Sequence, residues 1–299
     1  MTVASLPELL ADARLHRYAV GYFEAWDVYT LEAVIAAAEA ERSPVIIGIG
    51  GLTASHAWLR DHGIAVYGAA AAMLAASARV PAAVMYNEAD SADEARLALG
   101  CGFNTVMMVG QGLSSERLIE VTAALATEAH RVGVAVEGEF DELGEMRDGL
   151  VHDQEARLTD VDTAVDFVAR TNVDCLAVSV GSVHFVTGGY TPRLQMSRIA
   201  ELAEALTVPL VLHGGSGVPA DQLRAAIEAG ISKVNIGTRL KQVFGDGLTQ
   251  GLAHAVSDPN ITYGSRLAGD AMTAAAQALT YEVRRYMQIF GSSGKAARK

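Results

Sequence analysis

Eight short apolar runs, spaced along the chain and separated by helix-like segments, constrain the fold more than any other feature. They are Tyr18–Phe23, Val45–Ile49, Ala82–Tyr86, Thr105–Val109, Val134–Glu139, Cys175–Val180, Pro209–His213 and Lys233–Ile236. Continuous apolar runs of this length suit parallel strands covered on both faces. The intervening segments carry helix signals. Ser91-Ala92-Asp93-Glu94 reads as a capping box with Gly100 after the helix, and Leu31–Arg42 is rich in Ala and Glu. Pro219 fits a first helical position, with Gly230 past that helix's end. Eight strand–helix units in a row predict a closed (β/α)8 TIM barrel, class α/β, with an open doubly wound sheet as the rival. Asp141–Ala156, charged and Gly-containing, reads as a loop over the barrel mouth. Ala268–Phe290 reads as a C-terminal helical extension outside the barrel, and Gly291–Lys299 as a frayed tail. No linker divides the chain, so residues 1–299 are expected to form one domain.

Composition narrows the function. The chain has 299 residues with 35 Asp+Glu against 23 Lys+Arg and no basic stripe, which argues against a nucleic-acid partner. An acidic chain binds an anion only through local positive potential from backbone N–H groups, helix N-termini or a metal. No apolar stretch is long and uncharged enough for a membrane span, and the N-terminus has no signal-peptide pattern. Cys101 and Cys175 have no metal-ligand spacing. Cys175 lies in an apolar run and reads as a buried thiol, so a cytoplasmic location is expected.

In such barrels the working residues sit at the C-terminal ends of strands. Those positions hold Asn87 and Glu88 after strand three, Glu137 and Glu139 on strand five, and His184 beyond strand six. Strand seven ends in His213-Gly214-Gly215-Ser216-Gly217 and strand eight in Asn235-Ile236-Gly237-Thr238. A histidine before a Gly-rich turn is a site candidate, although a satisfied core histidine has the same pattern. The two turns can present N–H groups to a phosphate, or can be tight strand–helix turns and no more. Glu137 and Glu139 share one strand face. If that face is the interior, each carboxylate needs a partner or a metal, and an ion pair and a proton-transfer role are both open.

Several segments together resemble the class II, metal-dependent fructose- and tagatose-bisphosphate aldolases. They are YAVGYF and LEAV within 18–34, VAVEGE (134–139), DCLAVSVGSVH (174–184), VPLVLHGGSGV (208–218) and GISKVNIGTRL (230–240). The resemblance implies a carbon–carbon lyase acting on a phosphorylated ketose or related sugar, with a donor half like dihydroxyacetone phosphate. It implies His184 and His213 as ligands of a divalent metal, expected to be zinc. It implies Gly214, Gly215, Ser216, Asn235, Ile236, Gly237 and Thr238 as the phosphate and donor-binding groups, and a homo-oligomer, dimer or tetramer. The chain departs from the family at the end of strand three, where Asn87-Glu88 stands for Asp-His. It departs also at Val109, where an Asp is frequent, and at Phe185, where a Gly is usual. Glu88 then falls where the family places a metal ligand, with a replacement base and a solvated loop residue as the other readings, and Asn87, Glu137 and Glu139 become the candidates for orienting substrate and moving its proton. A different enediolate reaction on the same scaffold and a non-catalytic phosphosugar-binding subunit are the alternatives.

Overall fold

The computed structural model describes residues 3–50, 54–141, 145–147, 150–152, 158–183 and 191–296. All eight predicted runs form strands: β1 (Val20–Glu24), β2 (Val45–Gly50), β3 (Ala82–Ala89), β4 (Thr105–Met108), β5 (Ala135–Glu139), β6 (Cys175–Ala177), β7 (Leu210–Leu212) and β8 (Ile231–Ile236). They pair in parallel and close a barrel in the order β1-β8-β7-β6-β5-β4-β3-β2, so the open-sheet alternative is excluded. Helix α1 (Leu6–His16) precedes β1. Around the barrel run α2 (Val28–Glu41), α3 (Ile64–Ser77), α4 (Ala92–Ala98), α5 (Ser115–Arg131), α6 (Val161–Thr171), α7 (Met196–Ala205), α8 (Ala220–Ala229) and α9 (Thr238–Ala253). Helix α10 (Ala271–Ile289) is the expected C-terminal extension and packs on α2 and α9.

Strand alternation sorts the core into two layers. Outward residues such as Phe23, Ile47, Val84, Val136 and Val234 pack beneath the helices. Inward residues Val20, Tyr22, Ile46, Ala83, Met85, Met107, Ala135, Cys175, Ala177 and Val211 fill the barrel, and Leu6, Leu9, Leu10 and Ala13 of α1 join that cluster. Small inward residues make room for large ones. The Tyr22 ring occupies the space over Gly48, where a Cβ would meet the ring at 2.0 Å.

Four local expectations need correction. Ser91 caps α4 through Glu94 N, but the Glu94 side chain goes elsewhere: its Oε1 accepts from the Tyr86 hydroxyl (2.5 Å) and its Oε2 from Arg60 (2.8 Å). A buried carboxylate is better satisfied there than at the helix end. Pro219 is the N-cap of α8, one residue before the helix proper. The expected loop 141–156 contains a short antiparallel pair, Glu145–Arg147 with Leu150–His152. The tail is pinned through residue 296: Gly294 N donates to Glu41 O and Ala296 N to Arg42 O, and Ser292 is buried against Ser43.

Candidate active site at the C-terminal mouth of the barrel

The pleat of β5 points Ala135, Glu137 and Glu139 inward, as the sequence required if that face was the interior. Glu137 lies deep and fully enclosed. Its Oε1 accepts from His213 Nε2 at 2.7 Å, and its Oε2 pairs with Lys233 Nζ at 2.7 Å. Cys175 Sγ–H donates to the same Oε2 at 3.4 Å. Burial opposes the charge on Glu137, but the Lys233 ammonium and the His213 bond outweigh it and hold the carboxyl at about 2. The same burial and the adjoining carboxylate push the Cys175 thiol well above its ordinary range.

Lys233 escaped the sequence reading. It is fully buried on the inward face of β8, two residues before Asn235, with its ammonium 4.9 Å from the centre of the Tyr22 ring. Lys233 lies on the inward face by the same period of two that sets Glu137 and Glu139 on one side of β5. Lys233 Nζ also donates to Asn235 Oδ1 at 2.7 Å. An ammonium has no acceptor, so this bond fixes which amide atom is oxygen and turns Nδ2 away. Asn235 Nδ2 is then a buried donor without a partner among the described residues.

His213 ends β7 and is buried. With Nε2 donating to Glu137, its Nδ1 faces two further carboxylates, Glu88 Oε1 and Glu139 Oε2, each at 3.5 Å. Burial works against an imidazolium here, yet the bonds to Glu137 and Glu88 and the charge of Glu139 raise His213 to about 10. Glu88 reaches this spot through an irregularity. The β3–β4 pairing slips between Tyr86 and Ala89, and Glu88 has φ 53°. A bulge re-aims a side chain that strict alternation would send outward. Asn87 precedes it, buried beside Tyr22, and its Oδ1 has no hydrogen-bond partner among the described residues.

The two glycine turns adjoin this centre. Gly214 has φ 68°, and a Cβ there would lie 2.5 Å from Val183 O, so only glycine fits the turn. Gly215–Gly217 forms a single 3-10 turn. Ser216 Oγ crosses to the other turn and accepts from Gly237 N (3.1 Å) and Arg239 N (3.3 Å) at the start of α9. Thr238 opens that helix, so the turn 235–238 supplies a helix N-terminus of the kind that binds anions.

Of the sequence-derived candidates, Asn87, Glu88, Glu137, Glu139, His213 and the two turns with Gly214, Gly215, Ser216, Asn235, Ile236, Gly237 and Thr238 come together at one mouth. His184 and Phe185 lie outside the described residues. The donor set suits a divalent ion that displaces the Nδ1 proton: an imidazole anchored through Nε2 on a buried carboxylate, with two more carboxylates facing Nδ1. A second group, His56, Asp90 and Glu94, lies outside the barrel, but Arg60 already bridges its carboxylates at 2.6 and 2.8 Å.

A closed eight-stranded parallel barrel with two glycine turns and a His–carboxylate centre at its C-terminal mouth is an architecture of barrel enzymes. The chain belongs to the class-II fructose-bisphosphate aldolase family, whose profile matches residues 4–295. It is 31% identical over 297 residues to a sulfofructosephosphate aldolase of Alkalicoccus urumqiensis, covering 99% of each chain. It is 33% identical over 304 residues to a 6-phospho-5-dehydro-2-deoxy-D-gluconate aldolase of Bacillus subtilis, covering 100% of this chain and 99% of that one. The crystal structure of the YdjI aldolase from Escherichia coli K12 superposes with a TM-score of 0.80 at 27% identity, covering 99% of this chain and 100% of that one. Relatives at nearly equal identity are named for different sugars, so overall similarity does not select a substrate.

Proposed function

We propose that the chain is a zinc-dependent aldolase that cleaves and forms a C–C bond in a phosphorylated ketose or related sugar, with a donor half like dihydroxyacetone phosphate. The observation that carries this reading is the convergence of His213, Glu88 and Glu139 beside the two glycine turns. In it Glu88 and His213, with His184, hold the ion. Bound there, zinc supplies Lewis-acid polarisation of the ketose carbonyl and offsets the charge of an enediolate. Gly214, Gly215 and Ser216, with Asn235 to Thr238, hold the donor phosphate by N–H groups and hydroxyls. Asn235 Nδ2 and Asn87 Oδ1, a buried donor and a buried acceptor, orient the donor oxygens and the substrate hydroxyl.

The proton-transfer role falls on Glu139 rather than Glu137. Glu137 is committed on both oxygens, to His213 and Lys233, and positions the imidazole. In cleavage, the hydroxyl proton beside the breaking bond passes to the Glu139 carboxylate as that carbon becomes a carbonyl. The electron pair of the C–C bond stays with the donor half as an enediolate, which then takes up a proton. An enediolate reaction without C–C cleavage is the second reading, favoured by the amide at Asn87. Two unpaired cysteines accord with a reducing cytoplasm. Exposed Val66 and Met73 on α3 accord with a homo-oligomer, dimer or tetramer. The fold's profile and acidity give no support to a nucleic-acid partner, and among the described residues no helix is long and apolar enough to cross a membrane.

Solution NMR of dihydroxyacetone phosphate in D2O tests the donor half alone. The expected result is stereospecific exchange of one carbon-bound proton, lost in His213→Ala. No exchange by metal-loaded protein overturns the reading. Exchange without cleavage of any ketose phosphate selects the second one.

A further inference from the structure

A cavity of about 420 Å³ opens beside the reaction centre, on the β1–β2 side of the mouth. That volume suits a small molecule. Its inner end is formed by Glu24 and Gly50, the last residues of β1 and β2. Two of its lining residues border the site described above. Gly50 is the ladder partner of Asn87 between β2 and β3, and Glu24 Oε2 lies close over Gly237, 2.3 Å from where a Cβ would stand. The cavity lining therefore neighbours the backbone of Asn87 and the turn 235–238.

Its walls are aromatic. Trp26 and Phe244 meet edge to face with centroids 5.5 Å apart, and Trp58 and Tyr67 are tilted at 5.5 Å. Trp58 keeps 44% of its surface exposed. Among the described lining residues the charged groups are Glu24 and Lys241, which pair with each other at 3.3 Å, while Lys241 Nζ also lies 5.3 Å from the Trp26 ring centre. A second phosphate is poorly served here. The one ammonium is matched by a carboxylate, and aromatic faces carry negative potential. An uncharged body with apolar surface meets the opposite case: the rings gain buried area and no ion loses its hydration.

We propose that this cavity is the subsite for the aldehyde half of the substrate, and that it selects an uncharged aldehyde with an apolar body over one bearing phosphate. The proposal rests on the aldolase reading and adds the substrate class. Trp26 and Trp58 are the only 2 tryptophans of the chain, so an occupant reports directly in tryptophan emission.

The experiment uses metal-loaded full-length protein. Titration with 1-hexanol, an unreactive probe, is expected to give a saturable change in tryptophan emission. Aldol addition of dihydroxyacetone phosphate is then compared with hexanal and with glyceraldehyde 3-phosphate as acceptors. The expected kcat/KM ratio is at least about tenfold in favour of hexanal, the size of a hydrophobic-pocket preference. Trp58→Ala should collapse that ratio, and Phe244→Leu is the second variant should the first fail to fold. No saturable emission change, or a ratio at or below one, overturns the subsite. Protein that exchanges the dihydroxyacetone phosphate proton yet prefers the phosphorylated aldehyde refutes this proposal alone. Protein that exchanges nothing refutes the aldolase reading beneath it.

Discussion

Lys233 Nζ stands 2.7 Å from Glu137 Oε2 inside the barrel, and neither side chain is exposed to solvent. The pair links three strands. Lys233 on β8 orients Asn235, Glu137 on β5 orients His213, and His213 at the end of β7 presents Nδ1 to Glu88 and Glu139. A charge buried this way is costly alone and tolerable only as part of the network.

Removing one partner is therefore the sharp perturbation. Lys233→Met should destabilise the fold by roughly 3–5 kcal/mol, because it strands a buried carboxylate. The double variant Lys233→Met, Glu137→Leu should recover part of that loss. Urea unfolding of both variants measures the coupling. A single-variant loss under about 1 kcal/mol would mean that water reaches Glu137.

Ser216 bridges the two turns through Gly237 N and Arg239 N. Ser216→Ala should weaken inorganic phosphate or dihydroxyacetone phosphate binding by roughly 10- to 100-fold, the worth of a hydrogen bond to a charged group. Calorimetric titration checks this. Gly215→Val is a poorer probe, since a Cβ at Gly215 already meets Val234 at 2.6 Å and would disturb the core. Unchanged phosphate affinity in Ser216→Ala would place the anion elsewhere.

Much of this arrangement was legible beforehand, and the failures have physical causes. Strands buried on both faces write continuous apolar runs, so all eight were visible. Glu137 and Glu139 were placed on one face by period alone. Glu88 at the His213 nitrogen was expected only by resemblance, because the bulge that turns it inward has no local signature. Lys233 is readable from the same period, which puts it two residues before Asn235 on the inward face of β8. The pinning of residues 291–296 depends on backbone groups of Glu41 and Arg42, some 250 residues earlier in sequence, and such distant partners leave no trace in the tail itself. The departure of the Glu94 side chain from Ser91 has the same kind of cause, since Tyr86, His56 and Arg60 claim it.

Asn87 stands where the family has an acid. Fructose 1,6-bisphosphate seated as the family seats it would offer its hydroxyl to Asn87 and not to Glu139, so wild type should cleave it roughly 10²- to 10⁴-fold more slowly than a ketose whose hydroxyl meets Glu139, the span that general acid–base help is typically worth. Asn87→Asp should raise that cleavage. A coupled assay on both proteins decides it, and rapid wild-type turnover of the bisphosphate would remove Asn87 from the account.

Asp270 caps α10 and gathers the segment before it. It accepts from Gly264 N, Arg266 N, Met272 N, Thr273 Oγ1 and the Tyr29 hydroxyl. Burial raises its pKa, but the backbone N–H donors outweigh this and hold it at about 2. A depressed carboxyl stabilises the fold above its unfolded value near 3.9, and that stability is lost as pH falls through about 2. Thermal melts between pH 5 and pH 2 should show this fall, and Asp270→Ala should flatten it while costing roughly 1–2 kcal/mol at neutral pH. An equal slope in the variant would assign the acid sensitivity to other groups.

The most direct test of the central claim is release of dihydroxyacetone phosphate from a panel of ketose 1-phosphates, measured before and after chelation and after zinc is returned. Cleavage of at least one member is expected, lost on chelation and recovered with zinc in wild type but not in His213→Ala. Cleavage that persists undiminished after chelation, or that survives in His213→Ala, would contradict it.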